Sequence, residues 1–341
     1  MKMTTFVDRF LSGAAYRVED VSDWIAGDFD IGLFASSWDR RCVCIAGAAK
    51  FSCSSSLLLL FDARDREGLR DMHDPLLVDY LGRHSGETRI ITGSSIDTES
   101  LWQRLQGELL RVIAGHRRPL HLYVDLATVP RFYALGVLAF CIKSGFIKRA
   151  TIGYAEGRYP EKKADLSVVE SFPFTLGRWT TVSVPYLGGR IDPHLRKFFL
   201  VSVGFEGGKV LRVVTREDPD RVSLLFPEPG FRAEYETLTG EANRELIERW
   251  LIPPEQIVRA RAGDAIEAWK VLSAAAVERF GQENVYYLCC GTKPHSLAFA
   301  LRSFVREEAV VVYNVPEHYN EVDVFPNGVY WRYEITDLSS F

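Results

Sequence analysis

The residues best suited to chemistry form one short loop, Gly-Thr-Lys-Pro-His at residues 291–295, directly after an apolar run. Its amide hydrogens and the Thr292 hydroxyl can donate to a phosphate or another anion, while Lys293 supplies positive charge. His295 follows two residues later and could exchange a proton near neutral pH. The same pattern also fits a plain helix start, with Thr292 as the cap and Pro294 as the first helical residue. The loop therefore predicts anion binding, and Lys293 and His295 are the candidates for catalysis.

The rest of the sequence lacks the common catalytic patterns. Asp125 ends an apolar run but aligns with Cys289, so no pair of carboxylates emerges for acid and base catalysis. The run from Gly204 to Lys209 is rich in glycine, but it has neither the spacing of a nucleoside-triphosphatase loop nor that of a dinucleotide fold. We predict no metal and no cofactor, and a binding protein is favoured over an enzyme.

Bulk composition narrows the function classes further. A net charge of -4, with both signs mixed along the chain, lacks the single-sign field by which proteins bind nucleic acid in bulk. The longest strongly apolar run, Leu57 to Phe61, is far shorter than the roughly 20 residues of a membrane helix. The charged N-terminus does not resemble a signal peptide, and the six cysteines form no C-x-x-C pair. We expect a cytoplasmic protein with no membrane contact.

The elements that must position the loop recur within the chain. Five landmarks appear in the same order at offsets of about 160–170 residues, as expected for an internal duplication. They are a strand running into small residues (30–37 and 199–208), a buried strand (57–62 and 222–227), an Asp-capped helix (Asp97 and Asp264), the loop strand (122–131 and 286–295), and a strand before two tyrosines (152–159 and 311–319).

The alternation of strands and helices predicts an α/β fold made of two tandem Rossmann-like parallel-sheet units. An added strand is expected near 180–184. Near the end, Asn327-Gly328 between two apolar runs predicts a C-terminal β-hairpin. The predicted organisation is an N-terminal helical lead-in at 1–27, a first copy at 28–165, a linker at 166–195, a second copy at 196–320, and the hairpin at 321–341.

Ligands of open parallel sheets bind beyond the carboxyl ends of the strands, and the recurrent loops all fall at that edge. The candidate ligand-binding residues are Ser36, Ser37, Arg40, Arg41, Asp125, Thr128 and Arg131 in the first copy, and Gly204, Glu206, Lys209, Gly291, Thr292, Lys293 and His295 in the second.

At residues 289–295, Cys-Cys-Gly-Thr-Lys-Pro-His, the sequence resembles the CRISPR-associated Rossmann fold (CARF) family, and two copies in one chain resemble the fused SAVED arrangement. Members of these families bind cyclic oligonucleotide messengers in prokaryotic antiviral systems and pass the signal to an effector. The resemblance implies ligand contacts by Thr128 and Arg131 in the first copy and by Gly291, Thr292 and Lys293 in the second.

The first copy departs from that motif, since Ala127 and Val129 replace the glycine and the lysine, so we expect a site dominated by the second copy. Three functions follow as hypotheses. The leading one is a sensor or regulatory protein that binds a nucleotide-like anion between its two halves, with a protein partner or a second copy of itself. The second is a nucleotide hydrolase or ring nuclease that uses Lys293 and His295. The third is a non-catalytic interaction subunit of a defence complex, which pairs through its C-terminal hairpin and the aromatic residues Tyr330, Trp331 and Tyr333.

Overall fold

The chain divides into two compact units. The first comprises Met1–Tyr159 and Glu321–Phe341, and the second comprises Pro160–Asn320. The predicted linker at 166–195 therefore lies in the second unit, and the last segment of the chain returns to the first unit. A computed structural model describes residues 11–17, 26–48, 50–62, 68–274, 281–305, 309–322 and 324–336.

The first unit is built on a seven-stranded sheet in the order β1-β13-β6-β5-β2-β3-β4. Strands β2 to β6 run parallel, whereas β13 pairs antiparallel with both β6 and β1. The strands are β1 (Leu11–Arg17), β2 (Ala26–Ala35), β3 (Lys50–Phe61), β4 (Ser85–Gly93), β5 (Leu120–Asp125), β6 (Ile147–Arg158) and β13 (Phe325–Ile335). The helices are α1 (Arg41–Ala48), α2 (Leu69–His84), α3 (Thr98–Ala114) and α4 (Arg131–Lys143).

The second unit has a six-stranded sheet in the order β10-β9-β8-β11-β12-β7, in which only β7 is antiparallel. Its strands are β7 (Thr175–Ser183), β8 (Arg196–Ser202), β9 (Arg221–Pro227), β10 (Ile257–Ala260), β11 (Glu283–Cys289) and β12 (Val310–Tyr319). Its helices are α5 (Val168–Ser171), α6 (Gly207–Glu217), α7 (Ala233–Arg249), α8 (Ala265–Ala274) and α9 (Lys293–Val305), with a short 3-10 helix at Pro254–Gln256. The predicted added strand is β7.

Both units order their five parallel strands as 3-2-1-4-5 and add an antiparallel strand beside the fifth. The pairing also fixes which residues correspond. Ile31 lies opposite Leu122 in the first unit, and Phe199 lies opposite Tyr286 in the second. Leu122 and Tyr286 are aligned in the sequence repeat, so Ile31 corresponds to Phe199. The shared topology and register fit the predicted tandem duplication and confirm the α/β fold.

Local sequence explains why the repeated elements form. The carboxylate of Asp97 accepts the amide hydrogen of Ser100 at 3.2 Å, which caps α3. Asp264 accepts two amide hydrogens of the first turn of α8, each at 2.9 Å. Each carboxylate thereby satisfies donors that a helix start leaves unpaired. Trp102 and Trp269, at the same distance from these caps, are buried in the two cores. The third landmark is therefore a matched pair of capped helices.

The predicted C-terminal hairpin is wrong. Phe325–Ile335 is one strand whose pairing with β6 shifts between Pro326 and Tyr330, because Gly328 adopts a φ of 89° and forms a bulge instead of a chain reversal. Strand β13 has β6 on one side and β1 on the other, so both of its edges are paired. Tyr330, Trp331 and Tyr333 are buried, and they are not an exposed docking face.

The predicted N-terminal helical lead-in also needs correction. Leu11–Arg17 is the strand β1, whose residues pair in antiparallel register with β13 from Ile335 back to Val329. The rest of the lead-in falls largely on residues outside the described part of the chain. Within the described ranges, no helix is both long enough and apolar enough to cross a lipid bilayer.

Candidate functional site

The candidate site lies where the order of the strands in each sheet reverses, between the first and fourth parallel strands. In the second unit, β9 and β10 follow β8 on one side of it, while β11 and β12 lie on the other side. The loops after β8 and β11 therefore diverge at the carboxyl ends of two adjacent strands. Such a switch point is the usual ligand-binding crevice of an open α/β sheet. The first unit has the same switch point between β2 and β5.

The two loops of the second unit approach each other through glycines. A Cβ atom on Gly291 would lie 2.7 Å from the carbonyl oxygen of Val203, and one on Gly204 would lie 3.4 Å from that of Cys290. The Ser202 hydroxyl accepts the amide hydrogens of Cys290 at 3.2 Å and Gly291 at 3.0 Å. Gly291 is therefore required for the close approach of the backbones, and Ser202 holds the predicted ligand loop in place.

A helix begins shortly after each of the two strands that form this switch point. Helix α6 begins two residues after Phe205, and α9 begins at Lys293. Among the described residues, no protein acceptor bonds the amide hydrogens of Gly204, Gly207, Gly208 or Thr292. Space is open beside Gly208, since a Cβ atom there would meet nothing within 4 Å. Unpaired amides at helix starts are suited to bind an anion.

Thr292 and Lys293 are both half-buried at the start of α9. The Thr292 hydroxyl accepts the amide hydrogen of His295 at 3.4 Å, and its carbonyl accepts that of Ser296 at 3.2 Å. The capping interpretation of the loop is therefore confirmed. Lys293, the first residue of α9, remains partly exposed.

His295 is completely buried and bonds protein atoms. Its Nε2 lies 3.1 Å from the carbonyl oxygen of Arg261, in the loop after β10. Burial lowers the pKa of the imidazole to about 4, so the ring is neutral at physiological pH. Since Nε2 faces a carbonyl acceptor, it carries the ring proton. The ring ties the start of α9 to the neighbouring loop and does not line the crevice.

Glu206 and Lys209 are also engaged with protein partners. The Glu206 carboxylate accepts the Thr175 hydroxyl at 2.6 Å and lies 3.2 Å from the Lys209 ammonium. Lys209 donates to the carbonyl and hydroxyl oxygens of Thr175. Burial raises the pKa of Glu206 above its ordinary value. These two residues, predicted as ligand contacts, instead join the start of α6 to β7.

The corresponding residues of the first unit bond or pack against protein groups. The Thr128 hydroxyl donates to the carbonyl oxygen of Ala35 at 3.0 Å, and the Asp125 carboxylate accepts the amide hydrogen of Ala127 at 2.9 Å. Val129, which corresponds to Lys293, is fully buried. Asp125 is a structural residue of this turn, since it is 1% exposed and its carboxylate accepts the Ala127 amide hydrogen.

Several other predicted residues of the first unit bind protein groups. Ser36 is buried and donates to Asp74 on α2. Arg41 is buried, with its guanidinium 2.6 Å from the Asp39 carboxylate and 3.1 Å from the Ala155 carbonyl. The Ser37 carbonyl oxygen lies 2.7 Å from Nδ1 of His73. Arg131 is half-buried at the start of α4.

Only Arg40 of the first-copy candidates is exposed, and its guanidinium lies over the ring of Phe325, 4.4 Å from the ring centroid. The structure thus gathers Gly204, Gly291, Thr292 and Lys293 at one crevice, and it assigns the remaining candidates to other contacts. Ser202 is a site residue that was not predicted from the sequence, although a serine at the end of an apolar strand is a usable signal.

No protein-family model matches the sequence, and no curated protein matches it. In the described parts of the chain, no group of three or more His, Cys, Asp or Glu residues is arranged to hold a metal ion.

Proposed function

We propose that this protein is a sensor or regulatory protein that binds a nucleotide-like anion at the switch point of its second unit. The observation that carries the proposal is the pair of glycine-mediated loop contacts beside two helix starts, with amides of Gly204, Gly207 and Gly208 that bond no protein acceptor in the described structure. A phosphate accepts several such donors at once. Lys293 would add the positive charge that the amides lack.

The second unit is the better host for this ligand. Gly291 keeps its loop narrow, and Lys293 is partly exposed, whereas the corresponding residues Ala127 and Val129 are buried in the first unit. A regulatory role is favoured over turnover because His295, one of the two catalytic candidates, has a buried neutral ring that contacts the Arg261 carbonyl. The resemblance of residues 289–295 to the CARF family suggests cyclic oligonucleotides, and a role in antiviral defence, as the first possibilities to test.

The test is isothermal titration calorimetry of the full-length protein with three probes: a cyclic oligoadenylate, ATP and inorganic phosphate. We expect at least one nucleotide probe to bind, and Lys293→Gln to weaken it about tenfold, as loss of a charge-assisted phosphate contact predicts. The matched control is Lys163→Gln, which removes an exposed lysine elsewhere in the same unit.

The control should bind as tightly as the natural protein, and both variants should keep its melting temperature. The proposal is overturned if no probe binds the natural protein. Equal weakening by Lys163→Gln and Lys293→Gln would also overturn it, because the effect would then come from total charge.

A further inference from the structure

Two cation–aromatic stacks lie at the carboxyl edge of the first unit, beside the loop after β2. The loop after β2 contributes one member to each of two stacks. The guanidinium of Arg70 lies 4.6 Å from the ring centroid of Trp38, and that of Arg40 lies 4.4 Å from the ring centroid of Phe325. The first stack is largely enclosed, since Arg70 is 6% exposed. The second is open, since Phe325 is 41% exposed.

A second arginine lies beside the open stack. Phe325 and Arg158 are directly opposite each other in the antiparallel pairing of β13 with β6. Opposed residues project from the same face of a sheet with their Cβ atoms about 5 Å apart. Arg158 is exposed, and its guanidinium has no hydrogen-bond or ion-pair partner among the described residues. The exposed ring therefore has one cation over its face and a second on the residue paired with it in the neighbouring strand.

Two carboxylates near this ring bind other groups. Asp39 pairs with the buried Arg41. Glu156 is buried and accepts hydrogen bonds from the indole of Trp331 at 2.6 Å and from the amide of Asn327 at 2.8 Å. Each of these two acids serves a partner inside the unit.

The second unit has different residues at the positions that correspond to Trp38 and Arg40. By the register of the two sheets, Trp38 corresponds to Glu206 and Arg40 corresponds to Gly208. Glu206 and Gly208 place neither a ring nor a cation at the equivalent edge of the second unit. The second unit has a different stack at this edge, in which the Lys209 ammonium lies 5.6 Å from the ring centroid of the buried Trp179. An exposed ring under an arginine is therefore specific to the first unit.

We propose that Arg40, Phe325 and Arg158 form a second ligand site, which binds a nucleotide by its base and its phosphate. A planar base stacks on guanidinium and aromatic faces alike, without the need for a specific hydrogen-bond pattern. Arg158 pairs with the phosphate through its planar set of donors. The three residues thus match the two chemical parts of a nucleoside monophosphate.

The experiment uses calorimetry of the full-length protein with AMP, adenosine and ribose 5-phosphate, all in a Lys293→Gln background so that the second unit contributes little. We expect Phe325→Ala to weaken AMP and adenosine about tenfold and to leave ribose 5-phosphate unchanged. Arg158→Gln should weaken AMP and ribose 5-phosphate about tenfold and leave adenosine unchanged.

Arg117→Gln is the matched control, because it removes an exposed arginine just before β5, at the opposite edge of the same sheet. Phe325→Leu keeps an apolar side chain under Arg40 and tests whether loss of the ring, and not misfolding, causes the effect. Equal AMP affinity in all variants would overturn the site. Complete loss of AMP binding in the Lys293→Gln background alone would also overturn it, while leaving the proposal for the second unit intact.

Discussion

The two switch points have the same strand order but different interiors. In the second unit, Gly291 lets two backbones approach, and the next residues, Thr292 and Lys293, remain half-buried. In the first unit, Thr128 bonds the facing carbonyl of Ala35, and Val129 fills the position of the lysine. The second unit therefore differs from the first at this point by one glycine and one lysine, Gly291 and Lys293, in place of Ala127 and Val129. The two units thus share a scaffold and differ in the side chains at this point.

A second comparison concerns the cations at the starts of α1 and α6. Arg41 and Lys209 occupy corresponding positions, and each has an acidic neighbour: Asp39 for the arginine and Glu206 for the lysine. Each also donates to the backbone of a strand, at Ala155 in β6 or Thr175 in β7. Both copies therefore use this cation to fasten a helix start to the sheet, which is a structural role.

Exchanging the residues at position 293 and at the corresponding position 129 should change the free energy of unfolding most. Val129→Lys places a cation at a fully buried position, and we expect it to destabilise the first unit by about 4 kcal/mol. The reverse change, Lys293→Val, removes a half-buried lysine and should cost less than about 1 kcal/mol. Urea unfolding followed by hydrogen exchange in each unit measures both. Equal costs would refute the proposed difference between the crevices.

Substitution of two adjacent glycines of α6 by alanine should change the free energy of unfolding by nearly as different amounts. A Cβ atom on Gly207 would lie 1.9 Å from the carbonyl oxygen of Ala242 on α7, so Gly207→Ala should cost about 3 kcal/mol. Gly208→Ala meets open space and should be neutral or stabilise the helix by up to about 1 kcal/mol. Melting temperatures of the two variants compare them directly. A stable Gly207→Ala protein would show that the two helices can separate without loss of the fold.

The third prediction concerns pH. The folded pKa of His295 is about 4, below its ordinary value of 6.5, so the unfolded chain binds the proton first. The stability that this group contributes is fully present above pH 6.5 and is lost as the pH falls through about 4, by up to about 3 kcal/mol. His295→Gln keeps a donor for the Arg261 carbonyl but cannot titrate, so the second unit should lose this acid sensitivity.

The control for that measurement is His194→Gln, which removes an exposed histidine of the same unit. Its free energy of unfolding should follow that of the natural protein between pH 7 and pH 4. If His295→Gln follows the same curve, the acid sensitivity of the second unit comes from another group.

Sequence reasoning predicted those features that depend on local periodicity. The buried strand at Leu57, the caps at Asp97 and Asp264, and the repeat of five landmarks need only neighbouring residues, and the structure contains each of them. It failed at Asn327-Gly328, because a positive φ permits either a chain reversal or a bulge. The presence of β1 and β6 on both sides of β13 selects the bulge, and that information lies more than 150 residues away.

The sequence by itself determined that the chain is a duplicated α/β protein and that its loops gather at one edge of each sheet. Only the tertiary structure decided which loop side chains are available to a ligand. Arg41, Lys209 and His295 look alike in the sequence as polar residues at helix starts, but burial pairs each with a protein group. The reason is physical: a charge or imidazole removed from water must find a partner, and the nearest one is set by packing.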